Sequence, residues 1–243
     1  MRLNTLNFHS KLGLSGFLLS IMLGLLSAAT LIGLVYSSSD SGFNIPEMDK
    51  VKAKYSESAL VGAMKTTMYQ HVTVDEDINV VEKWIEDGAL DNDYFKNEVM
   101  YIIEADCQKC HSRSSTMTDA VPSLPFNSYA DIAVFTEKGY SWTAMAKTAH
   151  IHLFGISLLL VSLTFIFSCS CYLGSIKTLL ISTAWLSLWL DMSSWWLAKF
   201  SSYFAYAISI FGTIEIITMG LMAFLCLIDL WFVVPEKLRC KKL

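Results

Sequence analysis

Several things are missing from these 243 residues, and each absence closes a class of function. There is no glycine-rich phosphate loop, no serine triad and no metalloprotease motif, so nucleotide chemistry, acyl-enzyme hydrolysis and zinc proteolysis lack their residues. Strand patterns are scarce, and neither an internal repeat nor a low-complexity tract occurs, which leaves a helical chain. Histidine is rare: five in all, and none after His152. Charged residues make up 16% against 53% hydrophobic ones, too apolar for an ordinary soluble domain. No nucleic-acid partner is expected.

What is present begins with four apolar stretches, at residues 12–36, 151–172, 179–197 and within 206–234. Each is long enough to cross a hydrocarbon core of about 30 Å as a helix. The expected fold class is all-α, with four transmembrane helices and a small helical domain between spans one and two. The expected divisions are an anchor at 1–36, an extramembrane domain at 37–147, and a three-helix bundle with its tail at 148–243. The first stretch carries no charge and no proline. Its length exceeds the roughly 7–15 residues of a signal-peptide core, and no small-x-small cleavage site follows, so it is expected to stay as an anchor. Ser20, Gly24 and Ala28 recur at four-residue spacing, which lets another helix come close.

Basic residues set the orientation. Arg2 and Lys11 precede span one, and Lys237, Arg239, Lys241 and Lys242 follow span four. Both termini, and the loop at 175–177, are therefore expected in the cytoplasm, with the polar segment in a periplasm-like compartment of a bacterial inner membrane. Residues 40–137 hold 18 Asp or Glu against eight Lys or Arg. That is a solvated acidic surface, or a face on which a basic partner such as a small soluble cytochrome docks. Cys169, Cys171, Cys226 and Cys240 lie in or beside membrane helices and read as small apolar residues.

The polar segment carries the most specific signal, Cys107-Gln108-Lys109-Cys110-His111. Cys-x-x-Cys-His is the attachment sequence of c-type haem. On one helical turn positions i and i+3 share a face, so both thiols reach one edge of the ring and the adjacent imidazole becomes the iron ligand. Half a zinc site, a redox dithiol and a structural disulfide are the alternatives. No second Cys or His pair follows for zinc, and no βαβ context for a dithiol. One covalent haem c per chain, on Cys107, Cys110 and His111, is the expectation. Around the motif, the pattern predicts a helix from Met48 to about Tyr69. A second is capped by Asp75 and stopped by Gly88, a third begins at Asp93 and runs into the motif, and a short one covers 129–137.

Residues 68–89, ending Glu82-Lys83-Trp84-Ile85-Glu86-Asp87-Gly88-Ala89, resemble the C-terminal part of a class I cytochrome c. There an axial methionine precedes a loop and a helix ending Trp-Ile-x-x-Gly-Ala. Here that part comes before the haem motif, as in a circularly permuted domain, and the resemblance covers about 70 residues. It implies Met68 as the sixth ligand, with Met64 and His71 as alternatives. The Met-Pro usual in the family is replaced by Met68-Tyr69. A methionine ligand raises the potential and suits electron transfer, whereas a second histidine lowers it.

In the membrane half, His150 and His152 open span two, Asp191 lies near the outer end of span three, and Glu215 sits at mid-depth of span four. Ionisable groups in a bilayer usually face a partner or a cavity. Together these four are candidates for a quinol site, where an acid–base pair takes a proton and the electron leaves for the haem. The plainer alternative pairs Asp191 with Lys199 and places Trp195 and Trp196 in an aromatic belt. His150-x-His152 also resembles motifs of the membrane oxidase and nitric oxide reductase superfamily. Residues two apart do not face the same way, so such a centre would need a partner subunit.

The sequence therefore leads to electron transfer by a membrane-anchored monohaem cytochrome c, a subunit of a respiratory redox complex with other membrane subunits, a soluble cytochrome or quinol as partners. A quinol-oxidising enzyme subunit and a haem-based sensor or assembly subunit are the other two readings.

Overall fold

The computed structural model describes residues 2–37, 46–232, 234–235 and 238–239. Lys237, Cys240, Lys241, Lys242 and most of the serine-rich linker after Ser37 lie outside the described residues. Every regular element among the described residues is a helix, and there is no strand.

The chain forms two compact units, one of residues Met1–Pro46, Ala144–Leu197 and Tyr206–Leu243, the other of Glu47–Thr143 and Ala198–Ala205. Relative to the expected divisions, the turn between the last two long helices clusters with the polar segment.

The first unit holds α1 (Phe8–Val35), nearly all of α7 (Trp142–Ser168), α8 (Gly174–Leu197) and most of α9 (Tyr203–Trp231). Helices α1, α7 and α9 are long and apolar enough to cross a membrane. The 24-residue α8 is the least apolar of the four because Lys177, Asp191 and several serines interrupt it. Helix α7 starts earlier than the hydropathy suggested, so His150 and His152 lie in its third turn rather than at its mouth.

Specific contacts order the bundle. Trp231 of α9 donates its indole N–H to Ser15 of α1 at 2.8 Å. Asp191 of α8 lies against Gly212 of α9, and Trp195 of α8 packs edge-on to His152 of α7. At one end the amide of Leu3 donates to the carbonyl of Cys169, and that of Leu173 donates to Leu238. Below them Asp229, fully buried, accepts from the amide of Cys171 at 3.0 Å. The start of α1, the α7–α8 loop and the end of α9 thus share one end, and the helices alternate in direction. Outward-facing Leu19, Leu23, Phe154, Phe165 and Phe224 are exposed, as the lipid-facing side of a span must be.

The second unit begins with α2 (Met48–Tyr55) and α3 (Ala59–Lys65), followed by a 3₁₀ turn at Tyr69–His71. One continuous helix to Tyr69 was expected. Ser58 divides it, because its side chain accepts from the amide of Val61 and starts a new helix. Helix α4 (Asp75–Glu86) opens with Asp75, Glu76 and Asp77, whose charges suit a helix N-terminus. Val74, not Asp75, holds the cap position. The helix ends in a Schellman turn: Gly88 takes φ +97°, and the amides of Gly88 and Ala89 return to Ile85 and Trp84.

Next comes a helical run in three pieces, with wide π turns at Phe95–Val99 and Ile103–Cys107 around α5 (Met100–Ile102). The expected helix over 129–137 is shorter, α6 (Tyr129–Ala133). Trp84, Val81, Phe95, Val99, Ile103 and Ile132 centre one core that these helices share. The indole of Trp84 is 1% exposed and its N–H donates to the carbonyl of Leu90 at 2.9 Å.

Candidate functional site

The second π turn delivers Cys107 to the surface of this core. An i→i+5 bond from Gln108 back to Ile103 closes it, and the amides of Cys110 and His111 both return to Cys107. Cys107 and Cys110 are both partly buried, free thiols. Burial first, and then the charge of Asp106, pushes the Cys107 thiol up to about 12. A redox dithiol of the thioredoxin kind needs the opposite shift, toward thiolate at neutral pH. Among the described residues no group of three or more His, Cys, Asp or Glu side chains could hold a metal ion, so the zinc alternative finds no further ligands.

His111 is held on two sides. Its ring stacks on Phe126, with centroids 4.8 Å apart and planes 13° from parallel. Its Nδ1 lies 3.0 Å from the carbonyl oxygen of Leu124. A carbonyl only accepts, so Nδ1 carries the proton and Nε2 presents its lone pair. That division is the one an iron-ligating imidazole needs, since a metal-bound histidine donates its other N–H to a backbone carbonyl or carboxylate. The residues therefore fit a c-type haem. The segment 121–127 is itself tied down: Val121 and Phe126 donate their amides to Cys110 and His111, and the Gln108 side chain donates to Phe126.

The candidates for a sixth ligand separate by exposure. Met64 is 2% exposed and packed in the core beside Leu60 and Val61. Met68 is 40% exposed, at the start of the Tyr69–His71 turn, and His71 is exposed with Nε2 facing the Gln70 amide. Two residues on, Thr73 donates its amide to Asp106 at 3.1 Å, and Val72 packs on the same core as Cys107. Thr73, five residues after Met68, thus lies against the residue that precedes the motif.

In the membrane unit the four polar candidates divide. His150 is exposed and packs with Phe154, one turn along its own helix. His152 donates Nδ1–H to Thr148 at 3.0 Å and lies 5.3 Å from the Trp195 ring. Asp191 and Glu215 are 7% and 5% exposed, and Asp191 lies against Gly212, three residues before Glu215. The expected alternative pairing of Asp191 with Lys199 is not formed. Lys199 instead donates to Glu137 and to the carbonyls of Lys138 and Tyr140, and lies over the Trp142 ring.

Sequence reading missed Leu124, Phe126, Thr73 and Gly212. A backbone carbonyl leaves no trace of its own, although Pro125 biases Leu124 toward the extended conformation. A register between two membrane helices leaves none either.

Three apolar helices of spanning length, joined by α8 into one unit, define a membrane-embedded helical protein. Residues 114–237 match the family Aq_1264_TM, a transmembrane helical domain, and the match covers just over half of the chain, which belongs to this family. The match begins three residues after His111, so it embraces the membrane helices and leaves the Cys-x-x-Cys-His motif outside. No curated protein and no solved structure matches the chain.

Proposed function

We propose that this chain is a membrane-anchored monohaem cytochrome c that carries electrons on the periplasmic side of a bacterial inner membrane, as a subunit of a respiratory redox complex. The observation that carries the reading is the His111 imidazole, next in sequence to Cys110, with Nδ1 committed to the Leu124 carbonyl and Nε2 left for iron. Cys107 and Cys110 would form the thioethers, and His111 the proximal ligand. Met68 would be the sixth ligand, with Met64 and His71 behind it. Haem held in this way supplies a reversible one-electron iron couple, and the protein tunes it through the ligands and their hydrogen bonds. Phe126 and the 121–127 segment hold the imidazole against rotation, and the core around Trp84 supports the Cys107 turn.

The same reading makes α8 a fourth crossing. Its two ends fall in different places: Gly174 follows the loop tied to Leu3 and Leu238, and Leu197 leads into the turn 198–205 that clusters with the polar unit. Both termini would then be cytoplasmic, and partners would be further membrane subunits and a small soluble cytochrome or quinol.

The test is a pyridine haemochrome spectrum of the purified full chain, expressed with a haem-attachment system, with haem staining on a denaturing gel. A c-type band at one haem per chain is expected, lost in Cys107→Ser/Cys110→Ser. Absence of bound haem would overturn the reading. Haem reduction by quinol in the isolated chain would move it to a quinol-oxidising enzyme, and an open sixth position would move it to a sensor.

A further inference from the structure

The π turn that delivers Cys107 also places a buried carboxylate next to it, Asp106. Such turns recur at functional sites. Both carboxylate oxygens are taken by one residue, Thr73: Oδ2 accepts from the Thr73 amide at 3.1 Å, and Oδ1 accepts from the Thr73 hydroxyl. Thr73 lies between the Tyr69–His71 turn and α4. The contact therefore ties the chain ahead of α4 to the turn that ends in the Cys-x-x-Cys-His motif.

No cation offsets this charge. The ion pairs among the described residues do not include Asp106. A buried carboxylate is costly unless its oxygens are hydrogen-bonded. Here two neutral donors satisfy the oxygens and leave the charge in place. The tie to Thr73 needs only acceptors, whereas the charge acts on whatever stands beside it. It is felt at the Cys107 sulfur, where, after burial, it raises the thiol. That sulfur is the one expected to bond to the porphyrin.

We propose that Asp106 is a redox-tuning residue: held by Thr73, its buried negative charge favours ferric over ferrous iron and lowers the reduction potential of the haem. The inference rests on the haem reading of the same motif. Ferric iron carries one more positive charge than ferrous, so a fixed negative charge nearby stabilises the oxidised state. A buried charge does this with little screening by salt, whereas an exposed one is screened. Glu104, two residues earlier and exposed, supplies the comparison.

Spectroscopic redox titration of the full haem-bearing chain, at low and high salt, tests it. At a fixed ambient potential Asp106→Asn should hold a reduced-to-oxidised ratio about tenfold above wild type, a rise of about 59 mV for a one-electron couple. High salt should leave most of this difference. Glu104→Gln should shift the ratio less, and salt should erase that shift. Asp106→Glu, which restores the charge, should return the ratio toward wild type. If Asp106→Asn does not fold, Asp106→Ser removes the charge and keeps a hydroxyl for Thr73. Loss of haem attachment in both neutral variants would overturn the tuning role and leave Asp106 a folding residue. An unchanged ratio in a folded neutral variant, or a difference that salt erases, would overturn the inference alone. A wild-type chain without covalent haem would overturn the cytochrome reading and this inference with it.

Discussion

At the residue scale, the contrast between Met64 and Met68 makes the haem reading testable in detail. Met64 is packed in the core and Met68 is largely exposed, so their substitutions should fail in different ways. Met64→Ala should lower stability by about 2–5 kcal/mol, the usual range for truncating a buried methionine, and leave the haem spectrum unchanged. Met68→Ala should leave the melting temperature of the polar unit nearly unchanged and lower the reduction potential as the axial ligand is lost. The reverse pattern would transfer the ligand role to Met64. Chemical denaturation and a spectroscopic redox titration of the same preparations separate the outcomes.

How much of this site the sequence revealed follows from what a motif can encode. Cys107, Cys110 and His111 are adjacent, and one helical turn fixes their relation, so they were legible. The carbonyl of Leu124 and the ring of Phe126 come from a loop 13 and 15 residues later, brought back by the amides of Val121 and Phe126. Nothing in local spacing specifies that return. The contact of Asp191 with Gly212 is of the same kind: Asp191 is visible as a polar residue in an apolar run, but what it faces depends on the register of α8 against α9.

At the scale of elements, the polar unit is stabilised by its breaks as much as by its helices. Ser58 ends the continuity of α2 and α3 and caps the latter, so Ser58→Ala should cost about 1 kcal/mol. Gly139 has φ +63°, and a Cβ there would run into the carbonyl oxygen of Tyr55. Gly139→Ala should therefore destabilise by more than about 1 kcal/mol, seen as a lower melting temperature with unchanged helix content. Hydrophobic spacing located α4 correctly, because Ile78, Val81 and Ile85 mark one face. It extended the preceding helix too far, because a serine that caps a helix looks, in a periodicity count, like any exposed polar position.

The joint between α3 and α4 also carries a pH dependence. Lys65 donates to Glu82 at 3.0 Å and to Glu57 at 3.3 Å. Burial works to lower its ammonium, yet the bond to Glu82 and the nearby charge of Glu57 outweigh it and raise it above 10.5. A lysine raised on folding stabilises the native state fully below its unfolded value, and that stabilisation is lost as pH climbs through the folded value. Unfolding followed at rising alkalinity should therefore lose stability above about pH 10.5, and Lys65→Met should flatten that limb. Equal alkaline slopes in the two proteins would remove Lys65 as the cause.

At the scale of the molecule, the arrangement to decide is whether α8 crosses the membrane as α1, α7 and α9 are built to do. Its composition is the weakest of the four, and hydropathy alone leaves it below the others. The connections at its ends argue for a crossing. In the first turn of α8, Lys177 donates to the carbonyls of Ser168, at the end of α7, and Ser170, in the loop that also joins Leu3 and Leu238. After the helix, Lys199 donates to Glu137, Lys138 and Tyr140, all within the polar unit. An even number of crossings also agrees with basic residues at both chain ends. Labelling by a membrane-impermeant maleimide in intact spheroplasts should then treat Tyr203→Cys and Tyr101→Cys alike. Both positions are highly exposed, at 81% and 72%, and both should react without permeabilisation. A cysteine at Ser175, in the first turn of α8, should react only once the membrane is opened. Labelling of Tyr101→Cys with protection of Tyr203→Cys would place the two ends of α8 on one side and reduce the bundle to three crossings. The start of α9 would then have to face the cytoplasm and its end the periplasm. The bond from the Cys171 amide in the α7–α8 loop to Asp229 opposes this, because that loop follows α7 on the cytoplasmic side.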